Sequence, residues 1–261
     1  MIKKTIFQGL AIVAVFFAAW LAFSQIDFIK AFNIEQTSLR TEKKLGDFFW
    51  ESIERTEEII KRDSATKPVE KLVQRLTTAN DIDYSKLKIH IVRNEVVNAF
   101  AMPDNHLVIY TGLIDKCDNE GELAGVIGHE MAHLQKNHVM KKLVKEIGLS
   151  VLISMAGGNG SGTRALRILS SSAYDRNLES EADLTSAEYM LKAGMNPEQF
   201  ADMMYKMSVD TGPDHLSWLN THPDSEDRAK AILATMKGRK FKLKPVLTGE
   251  EWEGLKKTIK D

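Results

Sequence analysis

Two histidines four residues apart, with a glutamate directly after the first, mark where chemistry is possible. They lie in Glu122-Leu-Ala-Gly-Val-Ile-Gly-His129-Glu130-Met-Ala-His133, an uninterrupted helical pattern. Residues four apart share a helix face, so His129 and His133 can direct imidazole nitrogens at one point while Glu130 flanks it. That geometry suits a zinc ion with a proton acceptor beside it. The same five residues would also read as two solvated helix histidines, so a third ligand decides the matter. A catalytic zinc takes three protein ligands and keeps the fourth position for water.

Downstream, Arg176-Asn-Leu-Glu179-Ser-Glu181-Ala-Asp183 opens a second helix that runs to Lys192 and stops at Gly194, a residue suited to a left-handed cap. Glu179 and Asp183 share a face and Glu181 points elsewhere. If Glu179 ligates the metal, Asp183 lies one turn further on and can accept the other N–H of a ligating histidine, fixing its tautomer. An acidic solvated face is the alternative for this cluster taken alone. His90, His106, His138 and His215 read as surface or capping residues, and Cys117 as a small buried hydrophobe.

These residues need elements to hold them. Thr5 to Phe23 contains 19 residues without a charge, about 28 Å as a helix, with Lys3 and Lys4 before it. This predicts an amino-terminal membrane anchor (1–24) that leaves the rest of the chain outside the cytoplasm. A cleaved signal peptide, with Ala22-Phe23-Ser24 as the cleavage region, is the alternative and would give a secreted protein. Residues 35 to 62 carry Leu45, Phe48, Phe49, Ile53 and Ile60 at helical spacing, so 25–64 reads as an amphipathic helical segment. Pro68 suits the first turn of a new helix reaching about Thr77.

The main domain, 65–261, follows. Leu87–Val92, Val96–Met102 and Leu107–Thr111 alternate as strands, with Asp104-Asn105 as a turn, which predicts a small antiparallel sheet. From about Glu120 the helical period continues to the end of the chain, interrupted by Gly157-Gly-Asn-Gly-Ser-Gly162. Ile147 to Ala156 is apolar but too short to span a bilayer, and reads as core or an interfacial helix. Thr248 with Glu251 has the capping-box pattern for a last helix. The expected class is α+β: mostly helical, with a small antiparallel sheet, after one transmembrane helix.

Composition narrows the function classes. Thirty-five Lys and Arg against 36 Asp and Glu leave a net charge of −1, which argues against a dedicated nucleic-acid binder. A single cysteine excludes an intrachain disulfide and a multi-cysteine zinc site.

Taken together, the motifs resemble the metallopeptidase family that contains the CAAX prenyl protease, the HtpX heat-shock protease and the BepA outer-membrane assembly protease, across roughly residues 65 to 235. The resemblance implies a zincin-like domain with one Zn2+ held by His129, His133 and Glu179, and Asp183 as the Asp of the family's Glu-x-x-x-Asp. It also likens Asn98-Ala99-Phe100-Ala101-Met-Pro103 to the strand bordering the cleft, where an extended substrate can pair. Val108-Ile-Tyr-Thr-Gly-Leu113 resembles the strand and turn leading to the zinc helix. Asn220-Thr-His222-Pro223 is similar to a motif whose histidine is a transition-state donor or an inhibitory fourth ligand. The chain departs from the pattern at Asp104-Asn105, where Gly-Gly is usual, and at Asp175, where Ser is usual.

The expected function is a zinc endopeptidase acting on exported or membrane-associated, unfolded or damaged polypeptides. Glu130 acts as base and then acid, and Arg176 or His222 stabilises the oxyanion. The alternatives are a chaperone or assembly factor that uses a closed zinc domain for binding, and a structural zinc site with His222 as fourth ligand.

Overall fold

A computed structural model describes residues 34–157, 162–209, 218, 221–223, 225–239 and 242–261. The first helix, α1 (Ile34–Glu54), buries Leu45, Phe49 and Ile53 as the spacing predicted, but it ends eight residues before the expected 62. Thr56 explains the stop: its N–H reaches Ile53 O in a tightened last turn, and its hydroxyl donates to Ser52 O. The chain then joins the sheet. β1 (Glu58–Ile59) pairs antiparallel with β2 (Lys88–Arg93), and Ile60 N–H donates to Ile91 O.

Helix α2 (Asp63–Ala79) starts five residues before Pro68, where a helix start was expected. Pro68 forfeits one main-chain bond, to Ser64. Against that loss stands the burial of Val69, Leu72, Val73 and Leu76 on one face, each side chain stabilising by about 1.5–3 kcal/mol.

The sheet is mixed rather than antiparallel. β3 (Ala99–Met102) and β4 (His106–Tyr110) form the expected hairpin, but β2 lies on the far side of β4 and runs parallel to it, giving the order β1-β2-β4-β3. Residues 94–98 carry the chain across the end of β4. Thr111 Oγ1 donates to Asn94 O and accepts from Asn94 N–H, and Gly112 N–H donates to the same carbonyl. An alternating pattern specifies faces and not neighbours, so this crossover was invisible in the sequence. The turn is as expected: Asp104 and Asn105 have φ of 60° and 59°, the pair of left-handed residues that a tight two-residue hairpin needs.

Beyond α3 (Thr111–Lys116), the central helix α4 (Glu120–Gln135) is capped by the Asn119 carboxamide, which accepts from the N–H groups of Gly121 and Glu122. Residues Gly121 to Leu134 are all buried, so the helix has no solvated face. Its partners approach closely: a Cβ on Gly125 would lie 2.3 Å from Phe200 Cβ, and Ser186 Oγ donates to Gly125 O at 2.7 Å. After the left-handed Asn137, α5 (His138–Ile147) and α6 (Leu149–Ala156) follow, then α7 (Gly162–Ser171), α8 (Arg176–Ala193), α9 (Pro197–Val209), α10 (Ser225–Met236) and α11 (Gly249–Thr258). Gly194 ends α8 at φ 74°, and the Thr248–Glu251 capping box is formed.

One apolar cluster joins Ile91, Leu107 and Ile109 to α2, α4 and α8–α10, and a second joins Val92, Phe100, Met102 and Val108 to α1, α5 and α6. Cys117 is buried in the first, its thiol pushed up by burial. Among the described residues no helix is long and apolar enough to cross a membrane, and the expected anchor at Thr5–Phe23 lies outside them.

Candidate metal centre

The helix pattern of α4 puts His129 and His133 one turn apart on the face towards α8, and the spacing of α8 puts Glu179 opposite them. The three converge. His129 Nε2 and His133 Nε2 are 3.0 Å apart, with Glu179 oxygens 3.7 Å from the first and 3.3 Å from the second. His222 completes the group, its Nδ1 3.0 Å from both Glu179 oxygens and 3.2 Å from His129 Nε2. All four residues are buried.

The donor set fits zinc. Bonds of about 2.0 Å in tetrahedral geometry require ligand atoms roughly 3.3 Å apart, and the separations here bracket that value. Three imidazoles and a carboxylate are also borderline ligands of the kind zinc prefers.

A second layer of contacts holds the candidate ligands. His129 Nδ1 lies 3.0 Å from Asp183 Oδ1, at an angle that gives an ionic contact and no formal hydrogen bond. Burial opposes a charge on His129, but Asp183 and Glu179 outweigh it and raise its pKa. Asp183 is gripped by Arg228, whose Nε and Nη2 donate to its two oxygens at 2.7 and 2.6 Å, while Nη1 is 2.5 Å from Glu179 Oε2. His133 Nδ1 sits 3.0 Å from His138 Nδ1, and His138 Nε2 is 3.2 Å from Glu181. His138 is thus a buried neighbour of a candidate ligand, where a surface or capping residue was expected. The Tyr174 ring stacks on His133 at 4.0 Å and carries the Lys142 ammonium 3.9 Å above it. Trp218 stacks on His222 at 3.9 Å.

Glu130 stands beside the group. Its Oε2 accepts Ala101 N–H at 2.9 Å, while Oε1 lies 3.4 Å from His222 Nε2 and makes no hydrogen bond. Burial pushes its pKa up to about 7, with Glu179 adding to the rise and His129 opposing it. Asn98, Ala99, Phe100 and Ala101 lie buried at or on β3, the end strand of the sheet, with α7 packed on it. The Asn98 amide donates to Ser170 O, and its Oδ1 is a buried acceptor without a partner.

Arg176 is placed differently from the rest, exposed on the first turn of α8. With Glu179, Pro223, Asp227 and Arg228 it lines a cavity of about 350 Å³. A wider cavity of about 800 Å³, lined by Arg93, Glu95, Asp115 and Lys206, contains none of the candidate residues; the centre is closed in that His129, His133, Glu179 and His222 are all buried, with Glu179 at the edge of the smaller cavity. Of the remaining histidines, His106 is buried and pairs with His90, which stacks on Trp50, contrary to a surface reading; His215 lies outside the described residues.

The residues that motif spacing missed are His138, Tyr174, Trp218 and Arg228. One of them carried a signal. An arginine in the first turn of α10, after Glu226 and Asp227, opposes the helix dipole and implies a specific anionic partner.

Comparison with known proteins agrees with this geometry. The chain is similar to the mitochondrial metalloendopeptidase OMA1 of Schizosaccharomyces pombe, 25% identical over 171 residues, which cover 63% of this chain and 51% of that one. It is similar to the beta-barrel assembly-enhancing protease of Escherichia coli K12, 24% identical over 234 residues, 80% of this chain and 46% of that one. The metalloprotease LoiP of E. coli K12 is 29% identical over 173 residues, 61% of this chain and 68% of that one. The chain thus spans about half the length of the first two. The family model of peptidase family M48 matches residues 63–236, from the first residue of α2 to the last of α10, a span that includes every candidate ligand. The chain belongs to peptidase family M48, whose metalloproteases use zinc.

Proposed function

We propose that this chain is a zinc-dependent endopeptidase that cleaves exported or membrane-associated polypeptides, unfolded or damaged ones above all. The observation that carries the reading is the convergence of His129, His133 and Glu179 on one point with the Glu130 carboxyl beside it. Zinc held by these three residues would supply Lewis acidity and a water of lowered pKa. Glu130 keeps one oxygen on Ala101 N–H and leaves Oε1 without a hydrogen bond, the arrangement of a group that takes a proton from water and returns it to the leaving amine. Asp183 orients His129, and His138 orients His133.

The substrate reading follows from the sheet. An extended chain adding to β3 would pair with the main chain of Ala99 and Ala101, whose backbone groups face away from β4, flanked by Phe100 and the unpartnered Asn98 Oδ1, while Ala101 N–H is already engaged by Glu130. Pairing through main-chain groups favours unfolded polypeptides with little sequence preference. With zinc bound, His222 would lie within reach as a fourth ligand and would have to withdraw for substrate to enter. Its Nε2 is then the nearer donor to an oxyanion, and Arg176 meets the substrate on the cavity rim. The uncharged Thr5–Phe23 run supports a membrane-anchored enzyme, and Lys3 and Lys4 before it a domain outside the cytoplasm.

The closure of the centre favours a second reading, a chaperone or assembly factor that binds without cutting. Casein cleavage by the purified chain, with zinc quantified and Glu130→Gln alongside, separates the two. The peptidase reading expects at least about a hundredfold loss at equal zinc content. Bound zinc without cleavage in the unaltered protein points to binding, and absence of zinc refutes both readings. His222→Ala that keeps its zinc and its fold excludes a purely structural site.

A further inference from the structure

The hairpin of α5 and α6 turns on Gly148, at φ 89°, and is fixed to the second apolar cluster by Val139, Leu143, Leu152 and Met155. The flanks of α6 and the adjoining turn of α5 have no such partner; at 100° per residue Leu149 and Ile153 lie on one flank of the Leu152–Met155 face and Val151 on the other. Val144, Leu149, Val151 and Ile153 are 40, 55, 47 and 49% exposed, so four of the ten most exposed large hydrophobics among the described residues fall within ten positions. α6 buries only Leu152 and Met155 and carries no charge.

The sequence around the hairpin has a matching bias. Residues 147–163 contain no charged side chain in a chain that is 27% charged, and between Lys136 and Arg167 six Lys and Arg stand against the one acidic residue Glu146. Lys141 and Arg167 of this set are exposed, and so is Lys145, which is paired with Asp175; Lys136 is paired with Glu181, and Lys142 is buried against Tyr174. An apolar turn bracketed by cations is the pattern of a segment that lies in a bilayer interface, aliphatic side chains among the acyl chains and ammonium groups at anionic headgroups. A second copy of the chain fits poorly, because a two-fold contact would set this cationic excess against itself.

We infer that the α5–α6 hairpin docks on the surface of an anionic bilayer through Val144, Leu149, Val151 and Ile153. This rests on the anchor reading of Thr5–Phe23, which brings a bilayer within reach, and goes beyond it by fixing which face of the catalytic domain meets the lipid. The bilayer supplies the apolar cover that the second core cluster does not extend far enough to provide. Docking would also hold the α5 side of the metal centre, where Lys142 and Tyr174 lie, close to the membrane.

The test uses the full chain in vesicles of phosphatidylcholine with one third phosphatidylglycerol, carrying a fluorophore on Val151→Cys or Ile153→Cys, and on Leu233→Cys of α10 as the control; buried Cys117 stays unlabelled. Nitroxide-bearing lipid is expected to quench the labels at 151 and 153 at least about threefold more than the label at 233, with aqueous iodide showing the reverse order. Equal iodide quenching at 151 and 233 overturns the proposal. Protection at 151 from both quenchers also overturns it, by showing a protein cover. A chain that fails to float with the vesicles refutes the anchor reading, whereas one that floats with an iodide-accessible hairpin refutes the docking alone.

Discussion

Arg228 is the residue whose removal best tests the account of the metal centre. Its guanidinium holds both oxygens of Asp183 and one of Glu179, all of them buried. Arg228→Met keeps the apolar stem and deletes the charge, which leaves two buried carboxylates short of a partner. Breaking a buried pair from one side costs about 3–5 kcal/mol, a fifth or more of the total stability of an ordinary domain. Asp183→Asn is milder, because Arg228 keeps Glu179. It should cost about 1–3 kcal/mol and weaken zinc binding about 10–100-fold, since His129 loses the anion at Nδ1. In the double variant neither the cation nor its first partner remains, so the loss should fall short of the sum by about 1–3 kcal/mol. Urea unfolding of the zinc-loaded protein, followed by tryptophan emission, gives the three stabilities, and chelator competition gives the affinities. Additivity within about 0.5 kcal/mol, or an Arg228→Met protein of unchanged stability, would refute the coupling.

Three further outcomes are expected. Gly125→Ala should destabilise by about 1–3 kcal/mol in thermal or urea unfolding, because its Cβ would meet Phe200 Cβ at 2.3 Å, an atom too close to the α9 backbone to move alone. Burial pushes His90 down to about 3 and His106 to about 4, so the unfolded chain binds more protons between those values and 6.5. Stability should therefore fall as pH drops through that window, and His90→Phe, which keeps a ring on Trp50, should flatten the slope in melts between pH 7 and 4.5. Removing zinc with a chelator should lower the melting temperature, with a loss of about 2.7 kcal/mol when free zinc had stood at a hundred times its dissociation constant. An unchanged melt would mean that the four buried donors hold no ion.

What the sequence made legible was local. His129 and His133 share an α-helical face because of a spacing of four, with Glu130 flanking it, and Glu179 and Asp183 share a face for the same reason. The same holds for the Asp104-Asn105 turn, the Gly194 cap and the Thr248–Glu251 box. The parallel pairing of β2 with β4, the early end of α1 and the start of α2 at Asp63 were not legible, because each depends on which distant segment offers a hydrogen bond or a face to bury. Arg228 shows the same division at the site. Its partners Glu179 and Asp183 are 49 and 45 positions away, and no periodicity links them. With zinc bound, the ion and Arg228 would bring three positive charges to the buried carboxylates of Glu130, Glu179 and Asp183, with the Lys142 ammonium nearby over Tyr174. Arg228 thereby belongs to the candidate metal centre, although it donates no electron pair to a metal.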